Sequence, residues 1–217
     1  MTGQDPGGAP GPADAHELDA ERITRLLTEL DERLRRRGVA AALFVVGGAA
    51  VAATGLRRDR VTRDVDALTA GDTLAAVLEE AHALATEHGL PPTWLNSSAA
   101  AWMPPLPAGS TTPPDVPGLR VTYADDGFLL ATKLVAQRAK DVDDIVALAD
   151  RLGLRHATAD QLRDHVLRHY TDPEQLLFVL DGVRDEDDVA REVSLLAQDA
   201  ARALSRAHQA PPPGDAT

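Results

Sequence analysis

Two acidic residues, Asp64 and Asp66, have a spacing that suits metal chemistry. The run Asp64-Val65-Asp66-Ala67-Leu68 alternates polar and apolar residues before it becomes apolar, which is typical of a strand that ends in a cleft. Residues two apart on a strand share a face, about 6.6 Å apart along the chain. Such carboxylates repel each other unless a cation lies between them, and the usual cation is magnesium that bridges nucleotide phosphates. The pattern predicts a magnesium site, with a solvated strand end or a turn cap as the alternative.

A glycine pair precedes the two acids. Residues 43–46 form an apolar run typical of a buried strand, and residues 49–54 form an alanine-rich helical turn, so Gly47 and Gly48 lie at a strand-to-helix junction. Backbone without side chains can approach a phosphate closely, and the free amides at a helix start point toward an anion. The pair predicts a phosphate-binding turn. A tight turn that merely requires small residues is the alternative.

Four arginines lie between the glycine pair and the acids, in a chain that is otherwise acidic: Arg57, Arg58, Arg60 and Arg63. The planar guanidinium group can pair with two phosphate oxygens at once, so this cluster suits a triphosphate. For at least two of the four, an ordinary surface arginine on a loop is the alternative.

Residues 44–50 and 60–66 together resemble the signature of the DNA polymerase beta-type nucleotidyltransferase superfamily, a glycine pair on the first helix followed by an Asp-apolar-Asp strand. The Arg-x-Thr-x-Asp-x-Asp form of the second segment is similar to the abortive-infection nucleotidyltransferase toxins of type IV toxin–antitoxin systems. The resemblance implies that both acids are catalytic and hold Mg²⁺. The residues predicted to bind the nucleotide in this part of the chain are Gly47, Gly48, Arg57, Arg60 and Thr62.

A later stretch resembles the same toxins. Residues 129–138, which contain Lys133, and residues 140–145, which contain Asp141 and Asp144, are similar to their helical lysine-rich and Arg-Asp-x-x-Asp motifs. The resemblance implies that Lys133 contacts a phosphate and that the two aspartates line the other side of the cleft. Lys133 lies among apolar residues, where a lysine needs an anionic partner or a route to water. The alternatives are a lysine that only reaches solvent and an Asp141 that only caps the next helix.

The chain departs from the superfamily in one respect. Active members usually carry a third carboxylate on a later strand, where it helps to activate the attacking hydroxyl. Here the stretch of residues 93–96 presents Asn96, and residues 121–123 contain no acid. Asp125 and Asp126 are alternatives for that role, although both are more simply helix caps. The departure bears on catalysis rather than on nucleotide binding.

The predicted function is magnesium-dependent transfer of a nucleoside monophosphate from a nucleoside triphosphate to an acceptor hydroxyl. The resemblance favours RNA as the acceptor and implies an antitoxin protein as a partner, with a small molecule such as an antibiotic as the alternative acceptor. A nucleotide-binding regulatory or interaction protein without transfer activity is the alternative function, supported by the missing third acid. A purely structural helical scaffold would bind no nucleotide.

The elements that position these residues follow from hydrophobic periodicity. The pattern predicts strands over residues 43–46, 64–68 and 119–123, and helices over residues 15–37, 127–138, 142–152, 159–170, 173–180 and 185–207. A further helix is predicted between a cap at Asp72 and a stop at Gly89. The proline-rich residues 91–117 are predicted to form an irregular loop anchored by Trp94, Trp102 and Met103.

The predicted fold class is α/β, in the α+β sense. A small mixed-sheet core is expected over residues 15–124 and a mainly helical region over residues 125–208, with disordered tails at residues 1–14 and 209–217. Aromatic residues make up only 3% of the chain, so leucine, valine and alanine must fill the core.

Composition excludes several classes of function. A net charge of -12 argues against a protein that coats nucleic acid, and the lack of cysteine removes disulfides, thiolate catalysis and cysteine-ligated metals. Neither a secretory signal nor a membrane segment is expected, so a cytoplasmic location is predicted. His165 and His169 have the spacing of a zinc pair, but the sequence offers no third ligand nearby.

Overall fold

The computed structural model describes residues 16–209 and shows a four-stranded mixed sheet surrounded by helices. The strands lie in the order β3-β2-β1-β4. β1 runs antiparallel to β2 and parallel to β4, and β2 runs parallel to β3. The predicted fold class, a mixed-sheet core followed by a mainly helical part, is confirmed. The strands are β1 (Ala40–Val45), β2 (Val65–Leu68), β3 (Leu95–Asn96) and β4 (Gly118–Tyr123).

Eight α-helices and two short 3-10 helices, Ser98–Trp102 and Ala139–Asp141, lie within the described residues. The predicted tails fall outside that range except for Gln209, which is the last residue of α8. The α-helices are α1 (Ala20–Arg37), α2 (Gly47–Ala53), α3 (Leu74–His88), α4 (Asp126–Ala136), α5 (Val142–Arg151), α6 (Ala159–His169), α7 (Pro173–Val179) and α8 (Glu186–Gln209).

The first helix begins later than predicted. Asp19 caps α1 by accepting a hydrogen bond from the backbone N–H of Arg22 at 2.8 Å. Leu18 therefore lies outside the helix, where its backbone pairs with Thr62 through N–O distances of 2.7 and 2.9 Å. This bridge attaches the residues just before Asp64 to the start of α1.

The proline-rich segment contains more structure than predicted, because β3 and a 3-10 helix lie within it. Trp94 anchors it as predicted: the side chain is fully buried, and its indole N–H donates to the carbonyl of Ala81 at 2.8 Å. The same prediction is wrong for the Trp102 side chain, which is 45% exposed. The predicted cap at Asp72 is also wrong, since Thr73 is the residue before α3 and its side chain makes no capping hydrogen bond.

One hydrophobic core runs through the sheet and the C-terminal helices. α4 is central to it, with buried side chains from Phe128 through Val135. Phe128 meets Phe44 of β1 edge to face, with ring centroids 5.3 Å apart. The core is thus continuous across the predicted boundary at residue 124. None of the helices in residues 16–209 combines the length and the apolar character needed to cross a membrane.

Candidate functional site

Most of the predicted site residues meet in one cleft of about 110 Å³. Its walls come from the start of α2, the segment that leads into β2, the 3-10 helix after β3, and the end of α4 with the turn that follows. Arg57 and Asp144 are not among the lining residues. Those residues are Gly47, Gly48, Arg60, Thr62, Asp64, Asp66, Ala99, Met103, Thr132, Lys133, Ala136, Arg138, Lys140 and Asp141.

Asp66 of β2 lies directly against the glycine pair. The backbone N–H of Val46 donates to the Asp66 carbonyl at 2.9 Å, which ties β2 to the end of β1. A Cβ atom added at Gly47 would lie 3.4 Å from Oδ2 of Asp66. Gly47 also has φ of 64°, in the left-handed region that favours glycine. A side chain at position 47 would therefore touch the Asp66 carboxylate, which lies over the glycine bend.

The surroundings of Asp66 oppose its ionisation. Burial raises the pKa of Asp66, and the charge of Asp64 raises it further. Arg138, Lys140 and a backbone N–H of Ala99 act in the opposite direction. A bound cation would offset both the burial and the repulsion, so the pair of acids is suited to hold one.

Asp64 immediately precedes β2 and is half-buried. Its carboxylate accepts hydrogen bonds from the Thr62 hydroxyl and from the Asn96 side-chain amide, both at 3.4 Å. These distances are long, so the carboxylate keeps acceptor capacity for another partner. Asn96 is paired with Asp66 in the register of β3 and β2. The neighbouring strand thus places an amide beside the two acids.

Gly48 makes room for two polar side chains. A Cβ atom added at Gly48 would lie 3.1 Å from both Nη2 of Arg60 and Oγ1 of Thr62. The missing side chain lets both groups lie over the start of α2. Since α2 has only seven residues, close access to its backbone matters more here than the helix dipole.

Lys133 has two anionic partners inside the protein. Its Nζ donates to Asp141 at 2.8 Å and to Asp144 at 2.9 Å, and all three side chains are buried. These ion pairs explain how a lysine is tolerated among the apolar residues of α4. Lys133 and Asp141 line the cleft, whereas Asp144 has no exposed surface.

Asp144 accepts hydrogen bonds from three cations. Besides Lys133, Nε of Arg60 lies 3.2 Å away and Nη1 of Arg57 lies 3.1 Å away. Burial opposes the ionisation of Asp144, but Lys133, Arg60 and Arg57 together hold its pKa below the ordinary value. Arg57 also pairs with Asp59 at 2.9 Å. The structure therefore places Arg57 outside the cleft, as a partner of aspartates.

Two basic residues of the cleft, Arg138 and Lys140, were not among the predicted site residues. Both are exposed, lie in the turn between α4 and α5, and lower the pKa of Asp66. The chain turns at Gln137, which has φ of 39° without being glycine. Residues 129–140 carry no local pattern that gives the direction of the side chains after this turn.

Neither candidate for the third acid reaches the cleft. Asp125 caps α4 by accepting from the backbone N–H of Phe128 at 2.8 Å, and Asp126 pairs with Arg151 at 3.3 Å. Both contacts agree with the simpler interpretation of these residues as helix-terminal groups.

The donors of the cleft fit a hard cation such as magnesium. Asp64 and Asp66 offer carboxylate oxygens, and no imidazole lines the cleft in the part of the chain that is described. Within residues 16–209, no group of three or more histidine, aspartate or glutamate side chains is arranged to hold a metal ion. Magnesium at the two acids would therefore complete its coordination with phosphate oxygens and water.

The histidine pair has a structural role. His165 is buried and its ring nitrogen lies 2.9 Å from the carbonyl of Gly127, while Nδ1 of His169 lies 3.0 Å from the carbonyl of His165. Burial lowers the pKa of His165, which favours its neutral form. The contact of His165 with Gly127 attaches α6 to the first turn of α4, while the contact of His169 lies within α6.

The two acids, the glycine pair and four basic side chains thus share one small cleft, in which Arg60 and Lys133 are held from behind by Asp144. Comparison of the chain with protein-family models, curated proteins and solved structures finds no significant match.

Proposed function

We propose that the protein is a magnesium-dependent nucleotidyltransferase, which moves a nucleoside monophosphate from a nucleoside triphosphate to an acceptor hydroxyl. One observation carries the proposal: the Asp66 carboxylate lies over Gly47, where an added Cβ atom would touch it, and Asp64 and basic side chains line the same cleft. Carboxylates opposite bare backbone suit an anion that arrives together with a divalent cation. The phosphates of a nucleotide are such an anion.

The residues of the cleft have complementary roles toward the donor. The bare backbone at Gly47 and Gly48 admits a phosphate group at hydrogen-bonding distance. Arg60 and Lys133 are already held by Asp144, so their remaining N–H groups can meet phosphate oxygens without much further ordering. Arg138, which is exposed, adds positive charge beside the acids.

The transfer is an in-line displacement at the α-phosphorus. The acceptor oxygen bonds to that phosphorus while the bond to the oxygen that bridges to the β-phosphate breaks. Pyrophosphate leaves with the electron pair of the broken bond, and the acceptor hydroxyl releases its proton to water. Magnesium, when bound, offsets the charge of the phosphates. Asp64 and Asp66 are the residues that would hold the magnesium ion.

A nucleotide-binding protein without transfer activity is the second candidate, and Asn96 is the observation that favours it. Its side chain lies beside the two acids, and an amide cannot take the proton of an attacking hydroxyl. In this candidate the cleft binds triphosphate and magnesium only. The antitoxin partner and the cytoplasmic location remain predictions from the sequence.

Labelled triphosphates separate these candidates. The protein is incubated with magnesium, total RNA or hydroxyl-bearing small molecules, and a triphosphate labelled at either the α- or the γ-phosphate. Covalent label from the α-position alone supports nucleotidyl transfer. Label from the γ-position would indicate phosphoryl transfer and overturn the proposal, while saturable binding with no covalent label would favour the second candidate.

Variants of the two acids test the metal site. Asp64→Ala and Asp66→Ala should each lower transfer at least about 100-fold, because each removes a metal ligand. Asp72→Ala is the matched control, since Asp72 is exposed and lies outside the cleft. Wild-type transfer in both acid variants would show that the metal site is wrongly assigned.

A further inference from the structure

A second pocket opens beside the carboxylate cleft. Its volume of about 350 Å³ lies in the range of small-molecule sites. It lies between the 3-10 helix Ser98–Trp102, the end of α4, and the residues of α7 and α8. This pocket and the carboxylate cleft are adjacent, because the two spaces share lining residues. The shared residues are Ala99, Met103, Thr132, Ala136 and Arg138.

An exposed aromatic pair lies at this pocket. Trp102 lines it and packs on Phe178, with ring centroids 6.2 Å apart. The two residues are 45% and 69% exposed, in a chain with only 3% aromatic residues whose other tryptophan, Trp94, is fully buried. Two large rings left in water forgo the stabilisation that burial would give. Their position beside a pocket marks a ligand-binding surface.

The backbone that carries Trp102 is fixed by the helices beneath it. The hydroxyl of Tyr170 donates to the carbonyl of Trp102 at 2.8 Å, and the side-chain amide of Gln175 donates to the carbonyl of Met103. Tyr170 is itself buried. The exposed ring is therefore presented by an ordered segment, and a ligand that packs on it does not have to order that segment first.

The charges around the pocket favour a cation. Asp181 and Glu192 line it, and neither side chain forms a hydrogen bond or ion pair with another described residue. Arg138 is the one basic side chain among the described lining residues, and it lies on the side shared with the cleft. The chain as a whole carries a charge of -12, which repels a polyanion such as RNA. An ammonium group over the Trp102 ring would also gain cation–π attraction.

We propose that this pocket binds the acceptor, and that the acceptor is a small hydroxyl-bearing amine. Asp181, Glu192 and the Trp102 ring hold its ammonium group, while its hydroxyl lies toward the cleft. The acceptor role rests on the proposed transfer activity. The binding itself requires neither metal nor nucleotide, so it can be measured separately.

Pairs of compounds that differ only in charge test this binding. In EDTA and without nucleotide, the full chain is titrated calorimetrically with tyramine and with glucosamine, and with the N-acetyl derivative of each, which lacks the positive charge. At least one amine is expected to bind about fivefold or more tightly than its derivative. Equal affinities within both pairs would overturn the proposal, as would a lack of binding by both amines.

Variants assign the binding to individual residues. The double change Asp181→Asn and Glu192→Gln should remove the preference for the amine. Trp102→Leu should weaken amine binding about 3- to 30-fold, and Trp102→Phe should keep most of it. Leu167→Ala is the matched control, because Leu167 is 41% exposed and lines neither space. Unchanged amine affinity in the double variant and in Trp102→Leu would contradict the assignment.

Two further outcomes would show that the pocket binds a ligand other than an amine. Tryptophan fluorescence that responds to a single-stranded oligonucleotide and not to the amines would assign the aromatic pair to nucleic acid. Weaker triphosphate binding in Trp102→Leu, with amine binding intact, would assign the pocket to the base of the donor. If the amines bind but no α-label is transferred, the pocket remains assigned as an amine-binding site. Only the proposed transfer activity is then overturned.

Discussion

Asp66 is a residue whose charge suits ligand binding and disfavours folding. Burial and the charge of Asp64 raise its pKa above the ordinary value of 3.8. The resulting loss of stability is absent below pH 3.8, grows as the pH rises through that value, and is complete above the folded pKa. Asp66→Asn should therefore raise the melting temperature at pH 7 in EDTA, have no such effect below pH 3.8, and abolish transfer.

Two comparisons check the cause of this effect. Asp72→Asn should melt like the wild type at both pH values, because Asp72 is exposed and distant from the cleft lining. Magnesium should raise the melting temperature of the wild type more than that of Asp66→Asn, since a ligand stabilises the form that binds it. A lower melting temperature for Asp66→Asn in EDTA at pH 7 would contradict the repulsion described above.

Gly48 can be tested with a single methyl group. In Gly48→Ala the new Cβ would lie 3.1 Å from Arg60 and Thr62, so both side chains must move by a few tenths of an ångström. We expect transfer to fall roughly 10- to 100-fold, because small displacements of positioning groups are costly in catalysis. Steady-state kinetics measure the effect. Gly71→Ala, where a Cβ meets nothing within 4 Å, should retain wild-type rates.

The predictability of the site depends on how local its contacts are. Gly48 and Asp66 belong to a strand–turn–helix and strand pattern that is visible in consecutive residues. The ion pairs of Asp144 are different, because nothing near Arg57 or Arg60 in the sequence indicates a buried aspartate from α5 as their partner. Such pairings depend on how distant elements pack, and periodicity does not report that.

At the scale of elements, Asp144 links three segments: the loop with Arg57 and Arg60, helix α4 through Lys133, and its own helix α5. Asp144→Ala would leave the buried Lys133 with one partner fewer, remove the carboxylate that pairs with Arg60, and leave Arg57 with its exposed partners Asp59 and Asp143. We expect the free energy of unfolding to fall by about 3–5 kcal/mol in urea denaturation. Asp143→Ala is the matched control, since that neighbouring side chain is 78% exposed, and it should change stability by less than about 0.5 kcal/mol.

The stability that Asp144 contributes by joining these segments should depend on pH. Although burial opposes the ionisation of Asp144, the three cations hold its pKa below 3.8. Their stabilisation is therefore present above pH 3.8 and is lost as the pH falls through the lowered pKa. The difference in stability between the wild type and Asp144→Asn should shrink over that range. A difference that stays constant in acid would show that the charge of Asp144 does not support the link.

Among the elements, α5, α6 and α8 were predicted to within two residues at each end, because their apolar stripes repeat along the helix. The predicted start of α1 was five residues too early. β3 was missed because two residues are too few to show a period, and its pairing of Leu95 with Val65 depends on β2. The prediction that Asp72 caps α3 was also wrong. A turn separates it from Leu74, so Thr73 occupies the cap position instead.

At the scale of the whole molecule, the continuous core predicts cooperative unfolding. In a Trp102→Phe background the fluorescence of Trp94 reports on the sheet side, while far-ultraviolet circular dichroism reports on the helices. The two urea transitions should coincide. Phe128→Ala removes the ring that meets Phe44. The free energy of unfolding should therefore fall by about 3–5 kcal/mol, and by the same amount in both measurements. Phe178→Ala, which removes an exposed ring, should change the free energy of unfolding by no more than about 0.5 kcal/mol in either measurement. Two separated transitions would indicate that the sheet and the C-terminal helices unfold independently.

The order of the cleft residues along the chain also matters while the protein is being translated. The glycine pair, both acids and Arg60 leave the ribosome first, whereas Lys133, Asp141 and Asp144 all follow β4. A nascent chain that has emerged only through β4 carries Arg57 and Arg60 without the aspartate that holds them. We therefore expect the cleft to be complete only after α5 has been synthesised and has docked onto the earlier half.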